Sequence, residues 1–392
     1  MGTLDAVAKA LAARADRRAA LTTALLAAAL PVAAAAKQAG AKHPGARSND
    51  AGKRSGGADA PVSAAGRCVA VGDPCSKKKD KCCNQGRCKG KVCKPKKGGG
   101  GGTVSSATFD EFYSGDTMPY RPKGIALGYS GKAYVSENLN NRLLVFKDDV
   151  YSTRYSSTAS RDFEAPYGVA VDGSDYLYVA NSGANNVMQL ETNGTFVASW
   201  TVVSGSDLLS RPRDVAVDGD GNVFVADSGK SRIVKFDSNG NKLAIFGPST
   251  PNLRYASLSG PEGVAVTSSG KVFISDTGNN RVVVFSSSGT ALLDWNKSGG
   301  PDRESLNTPR GIAVDGDQNV YVADTDNDQV AVFDAKGGSL FVLSGPGGAS
   351  GSQPNFNQPW SVDVRDGQLV VADQASPNDN NANGRVAVFN LS

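Results

Sequence analysis

Downstream of residue 103 the chain is a succession of short apolar runs separated by turns rich in Gly, Asn and Asp. Six runs are introduced by one phrase: a proline, a variable residue, usually a glycine, then alternating apolar positions. The copies are PKGIALG from Pro122, PYGVAVD from Pro166, PRDVAVD from Pro212, PEGVAVT from Pro261, PRGIAVD from Pro309 and PWSVDVR from Pro359. Successive prolines lie 44, 46, 49, 48 and 50 residues apart. A second run follows each phrase: AYVSE (133–137), LYVAN (177–181), VFVAD (223–227), VFISD (272–276), VYVAD (320–324) and LVVAD (369–373). A polar turn leads to a third: RLLVF (142–146), NVMQL (186–190), RIVKF (232–236), RVVVF (281–285), QVAVF (329–333) and RVAVF (385–389). Runs of this length, rich in Val, Ile, Phe and Tyr, read as strands. A weaker fourth strand follows in the first five repeats, as in TFVASW (195–200), KLAIF (242–246) and ALLDW (291–295).

Four strands repeated at this period predict an all-β, six-bladed β-propeller over residues 103–392. The sixth repeat ends after its third strand, whereas ATFDEFY (107–113) precedes the first phrase without a blade of its own. Pairing the two is expected to close the ring and remove an exposed edge.

These residues resemble the NHL repeat, whose pattern is a proline phrase, a strand ending in Asp and a loop such as D-x-G-x-N-R. DTGNNR (276–281) matches best; DSGKSR (227–232) and ENLNNR (137–142) are near matches. NSGANN (181–186) and DTDNDQ (324–329) lack the arginine, and the last copy is stretched between Asp373 and Arg385. The resemblance covers about three quarters of the chain and implies the propeller fold. It leaves activity open, because the family includes RNA binders, protein-binding sensor domains, a peptide-amidating lyase and relatives of calcium-dependent lactonases. The amidating lyases depend on histidine at their metal, and the only histidine here is His43, outside the propeller.

Composition changes sharply at residue 102. Residues 1–102 hold 20 Lys and Arg against 6 Asp and Glu, whereas residues 103–392 hold 22 against 32. That asymmetry predicts separate modules with different partners. Residues 1–36 read as an export signal: Arg17-Arg18, an Ala/Leu run to Leu30, then small residues from Ala33 to Ala36. The run is too short and alanine-rich for a membrane span. The twin arginine resembles a Tat signal but lacks the usual bulky apolar pair, so Sec export and a cytosolic amphipathic N-terminus stay open. Residues 37–66 read as a disordered linker.

All six cysteines fall close together, at Cys68, Cys75, Cys82, Cys83, Cys88 and Cys93. An even cluster downstream of an export signal predicts disulfides. Zinc is the rival reading, although adjacent Cys82-Cys83 fit one tetrahedral site badly. The spacing resembles the inhibitor cystine knot, and the resemblance implies pairs Cys68–Cys83, Cys75–Cys88 and Cys82–Cys93. This module, residues 67–97, carries 11 Lys/Arg, which suits an anionic surface or simply keeps a small exposed module soluble. Gly98–Gly102 form a tether to the propeller.

Within the propeller the absence of His and Cys excludes Ser-His-Asp and Cys-His nucleophiles and histidine-ligated zinc. Calcium, which takes oxygen ligands, stays open. The DGDGN (218–222) and DGDQN (315–319) loops superficially resemble calcium loops, but Asx-rich hairpin turns explain them more simply. The insert 376–384 offers further oxygen ligands, with a plain loop as the alternative. The Asp and Arg of each D-x-x-x-x-R loop are expected to bond to each other across one turn, as Arg281 would to Asp276.

The residue after each proline is different, because it varies while its surroundings stay constant. It is Lys123, Tyr167, Arg213, Glu262, Arg310 and Trp360 in turn. Three cations, two aromatics and one acid are expected at one channel rim, with Arg121, Arg161, Arg211 and Arg303 in the same loops. Asp162, Glu164, Asp302 and Glu304 are placed to neutralise several of those arginines. Such a ring suits an anionic or sugar-like ligand; a solvated rim that tolerates any residue is the alternative.

These observations point to a secreted or cell-surface, non-enzymatic binding scaffold, recognising an extracellular protein or an anionic or glycan ligand through one propeller face. The basic module would add avidity through an anionic surface. The alternative is a calcium-dependent lactonase or esterase with metal in the channel and Glu262 and Asp214 as nearest ligands. Nucleic-acid recognition is disfavoured by the acidic propeller and the export signal.

Overall fold

A computed structural model of the chain describes residues 87–89, 92–94, 104–113, 119–158, 162–247, 257–296, 305–345, 355–374 and 384–392. Its main body is six antiparallel four-stranded sheets. The first strands are Gly124–Leu127, Pro166–Val171, Pro212–Val217, Gly263–Val266, Pro309–Val314 and Pro359–Arg365. Each packs on the first strands of the repeats before and after it, and the sixth packs on the first, so the six sheets form a closed ring around them. The chain is therefore a six-bladed β-propeller.

Strand periodicity explains why both faces of the middle strands are apolar. Alternate side chains point to opposite faces of a sheet, and in a ring each face meets a neighbouring blade. Tyr134, Leu143 and Val145 of blade one meet Leu177, Val179 and Met188 of blade two. Five further clusters fill the remaining seams, the last joining Val370 and Val388 of blade six to Val135 and Phe146 of blade one. The second strands are consequently buried along their length, as in Val223–Asp227 and Val272–Asp276.

In blade six the fourth strand is Ala107–Phe112, which pairs antiparallel with Arg385–Leu391 (Leu391 opposite Ala107, Phe389 opposite Phe109). Elsewhere the fourth strand comes from the same repeat, for example Phe196–Trp200 and Ala291–Trp295.

The glycine of the proline phrase has a steric cause. A Cβ on Gly263 would run into the carbonyl oxygen of Arg310, and one on Gly168 into the Asp214 carboxylate. At these positions the neighbouring first strand comes too close for a side chain.

Among the described residues, no helix is long and apolar enough to cross a membrane. Strands Arg87–Lys89 and Val92–Lys94 pair antiparallel with Cys88 opposite Cys93. The expected export signal and linker, Cys68, Cys75, Cys82 and Cys83 lie outside the described residues, as do Arg161, Asp302, Arg303, Glu304 and residues 376–383 of the insert.

Candidate functional site

Three recurring contacts hold the rim, and they separate structural polar groups from available ones. The first lies within a repeat. The carboxylate that ends the second strand accepts the backbone N–H two residues before the proline and the side chain that opens the third strand. Asp227 takes Ser210 N–H (2.6 Å) and Arg232 Nε (2.6 Å); Asp276 takes Ser259 N–H (2.6 Å) and Arg281 Nε (2.7 Å). Gln329 substitutes for arginine on Asp324 at 2.7 Å, and Arg385 reaches Asp373 at 2.8 Å across the insert. The expected Asp–Arg clasp is thus present and is structural.

The second contact crosses each seam. The residue before every repeat proline is left-handed, with φ between 44° and 54° for Arg121, Ala165, Arg211, Gly260, Thr308 and Gln358. Pyrrolidine sterics and, at Thr308, a branched Cβ oppose that conformation. A side chain from the preceding repeat holds each N–H in place: Asn141 on Ala165 (2.8 Å), Asn185 on Arg211 (2.7 Å), Ser231 on Gly260 (3.1 Å), Asn280 on Thr308 (2.9 Å) and Asp328 on Gln358 (2.7 Å). Arg121, at the seam of repeats six and one, has no such side-chain acceptor among the described residues.

The third contact is a hydroxyl latch. Thr277 Oγ1 donates to Pro309 O at 2.7 Å, Thr325 Oγ1 to Pro359 O at 2.8 Å, and Ser228 Oγ to Pro261 O. The equivalent residues in repeats one and six are amides, Asn138 and Gln374. Asn138 Nδ2 donates to Tyr167 Oη (3.4 Å), and Gln374 Oε1 accepts from Arg121 Nε (3.3 Å). Asn138 Oδ1 and Gln374 Nε2 are buried without a partner.

The calcium-like loops are Asx turns. Asp218 Oδ1 accepts Asp220 N–H (3.0 Å) and Asn222 N–H (2.8 Å), and Asp315 Oδ1 accepts Asp317 N–H (2.9 Å) and Asn319 N–H (2.8 Å).

Against this background all six variable rim residues meet one another. The Lys123 ammonium nitrogen sits 2.9 Å from the Trp360 ring centroid, and the Arg310 guanidinium carbon 3.6 Å from it. Arg213 lies 3.9 Å above the Tyr167 ring, and the Tyr167 and Trp360 rings are 6.5 Å apart. Glu262 bridges the two guanidiniums, ion-paired with Arg310 and 3.9 Å from Arg213 Nε. The aromatic rings therefore already stack on the protein's own cations. Charge is unbalanced, since Glu262 serves two arginines and Lys123 has no carboxylate partner among the described residues. Arg310 Nε is also buried without a partner. Burial, with Arg310 and Arg121 close by, pulls the Lys123 ammonium down to about 6, against a smaller opposing pull from Glu262.

The two carboxylates deepest in the first strands replace small residues of the phrase. Asp214, in the glycine position, accepts Val264 N–H at 2.9 Å, and burial pushes it up to about 7. Asp363, in an alanine position, accepts Leu127 N–H at 2.7 Å and Val364 N–H at 2.8 Å, and is also raised by burial. Each stitches its strand to the next blade. Among the described residues, no three acidic, His or Cys side chains come together to hold a metal. Glu262 and Asp214, the sequence candidates for calcium, are engaged by guanidiniums and by a backbone amide respectively.

The NHL repeat pattern matches residues 209–236, 258–285 and 306–333. The chain carries NHL repeats. The three matched copies are those with both the hydroxyl latch and a clasped aspartate. No curated protein matches the chain in sequence. Among solved structures, a calcium-binding regucalcin from Agrobacterium tumefaciens aligns over 72% of this chain and 95% of its own, at 13% identity and TM-score 0.52. A gluconolactonase from Xanthomonas campestris covers 70% and 87%, at 16% identity and TM-score 0.51. A streptogramin B lyase covers 72% and 97%, at 13% identity and TM-score 0.50. At these identities the likeness is one of fold.

Proposed function

We propose that this is an exported binding protein whose propeller takes a small anionic ligand at the channel mouth, between Arg310, Lys123 and the amides of Asn138 and Gln374. One observation carries the reading: a rim holding three basic residues to one acid also holds three buried polar atoms with no partner. Such atoms are costly unless something completes them. Guanidinium N–H groups suit a carboxylate or phosphate, and amides suit neighbouring hydroxyls, as on an acidic glycan. Pairing of Ala107–Phe112 with Arg385–Leu391 is read here as what closes the ring. The cysteine module is read as disulfide-bonded, with its lysines adding weak avidity for an anionic surface.

Calorimetric titration of the full chain with inorganic phosphate and with a uronate-containing oligosaccharide tests this. Binding that weakens at least tenfold in Arg310→Met is expected. Unchanged binding in that variant, or none in the parent, rejects it.

A second reading, a calcium-dependent hydrolase, draws support from two of the solved relatives, one a gluconolactonase and one a calcium binder. On that comparison it is better supported than a bare scaffold; the side-chain geometry supports anion binding. Native mass spectrometry of the full chain before and after EDTA separates them. A retained calcium, with lactone hydrolysis lost on chelation, would establish the hydrolase.

A further inference from the structure

Lys123 stands apart from the other rim cations. It is 8% exposed, and its ammonium group makes no hydrogen bond or ion pair with any described residue. Its neighbour is the Trp360 ring, which also carries Arg310. Whatever faces the two occupy, the nitrogen and the guanidinium carbon are separated by no more than the sum of their distances to that ring. Arg121 and Arg213 add further positive charge, and Glu262, the nearest acid, is already bridged by Arg310 and Arg213. Two cations on one indole, with no anion assigned to one of them, favour losing a proton from the group able to lose it. Arginine does not; lysine does. A desolvated lysine beside other cations is a nucleophile at neutral pH.

We propose that Lys123 is a reactive amine that captures a small anionic carbonyl compound, an aldehydo or 2-oxo acid, as an imine at the channel mouth. This rests on the anion-binding reading above. The carboxylate would lie against Arg310 Nε, which has no partner, and Arg121, which has no ion pair among the described residues. The Nζ lone pair attacks the carbonyl carbon and the C=O π bond breaks onto oxygen. Proton transfer gives a carbinolamine, which expels water and leaves the C=N bond. Nothing is oxidised or reduced. Asn138 Oδ1 and Gln374 Nε2, unpartnered at this rim, offer one acceptor and one donor to the carbinolamine hydroxyl or to hydroxyls of the bound acid.

The test is reductive trapping on the full chain. Glyoxylate and cyanoborohydride are added at pH 7 and the sites mapped by peptide mass spectrometry. The expected result is Lys123 labelled at least tenfold faster than the other lysines, with its rate rising to a plateau just above pH 6. Acetaldehyde should label it more slowly, and inorganic phosphate should protect it. Lys123→Met, which keeps the buried side chain uncharged, should abolish that label while keeping the parent melting temperature, and Glu262→Gln should move the inflection to lower pH. Labelling of Lys123 no faster than surface lysines, or an inflection near 10, overturns the proposal. Phosphate binding by calorimetry without trapping overturns the imine alone. Trapping that is equal for acetaldehyde and glyoxylate, and indifferent to phosphate, overturns the anion reading beneath it.

Discussion

The seams joining repeats three to six and the seam joining repeat six to repeat one use the same positions and end in opposite states. In the first group a hydroxyl from Ser228, Thr277 or Thr325 binds the next proline carbonyl, and Ser231, Asn280 or Asp328 holds the left-handed residue before it. There the latch hydroxyls and the capping side chains are all consumed by the fold. At the six–one seam Gln374 replaces the hydroxyl and leaves its Nε2 without a partner, and Arg121 has no side-chain acceptor of that kind among the described residues. Lys123 and Trp360 lie on that same seam. A repeat protein reveals its site where it stops repeating its own bonds.

The comparison breaks most severely at the clasp. Asp276→Ala removes the acceptor of Arg281 Nε and of the Ser259 N–H, and should cost about 3 kcal/mol in urea unfolding. By contrast Asn138→Ala, at the amide that stands in the latch position, should cost under about 1 kcal/mol while weakening phosphate binding.

Next in size is a pH effect at Asp214, whose folded carboxyl is raised to about 7 from 3.8 by burial. A raised carboxyl contributes stability that is complete below the unfolded value and is lost as pH climbs through the folded one. The contribution of Asp214 should therefore fall by on the order of 2 kcal/mol between pH 5 and pH 8. Asp214→Asn should flatten that slope relative to the parent, measured by chemical denaturation. Lys123 contributes the opposite sign, its stabilisation being lost as pH falls toward about 6, and it cancels in the comparison of the two proteins.

Smaller again is Thr277→Val, which removes one latch and leaves the Pro309 carbonyl short of a donor, for about 1 kcal/mol. Smallest and most informative is Gln374→Thr, which installs the latch at the six–one seam. A gain of about 0.5 kcal/mol together with weaker phosphate binding is expected. A gain with unchanged binding would detach the amide from the ligand site.

Much of this was legible in the chain. The proline phrase, the clasped Asp and Arg281, and the six rim positions are all periodic, and periodicity is what a sequence displays. What stayed hidden is non-periodic or long-range. The left-handed residue before each proline is Arg, Ala, Arg, Gly, Thr or Gln, so residue type gives no signal; in five of the six a side chain one repeat earlier holds it. Asn138 and Gln374 stand at a different repeat position from the rim residues, and only their failure to be Ser or Thr could have marked them. That Tyr167 and Trp360 would be covered by Arg213, Lys123 and Arg310, rather than left open for stacking, depends on blades brought together only in the ring.

The origin of the sheets also fixes an order of events. Five blades are assembled from residues adjacent in sequence, so their strands find one another over short loops. The sixth needs Ala107–Phe112 to meet Arg385–Leu391, and the bonds between Ser105 and Ser392 beside it span 287 positions. Bringing such distant segments together carries a larger entropic cost, so it is slow. The first strand of the ring is therefore expected to be the last to dock, and a chain caught before that step presents the bare edge of Arg385–Leu391 to any strand that passes.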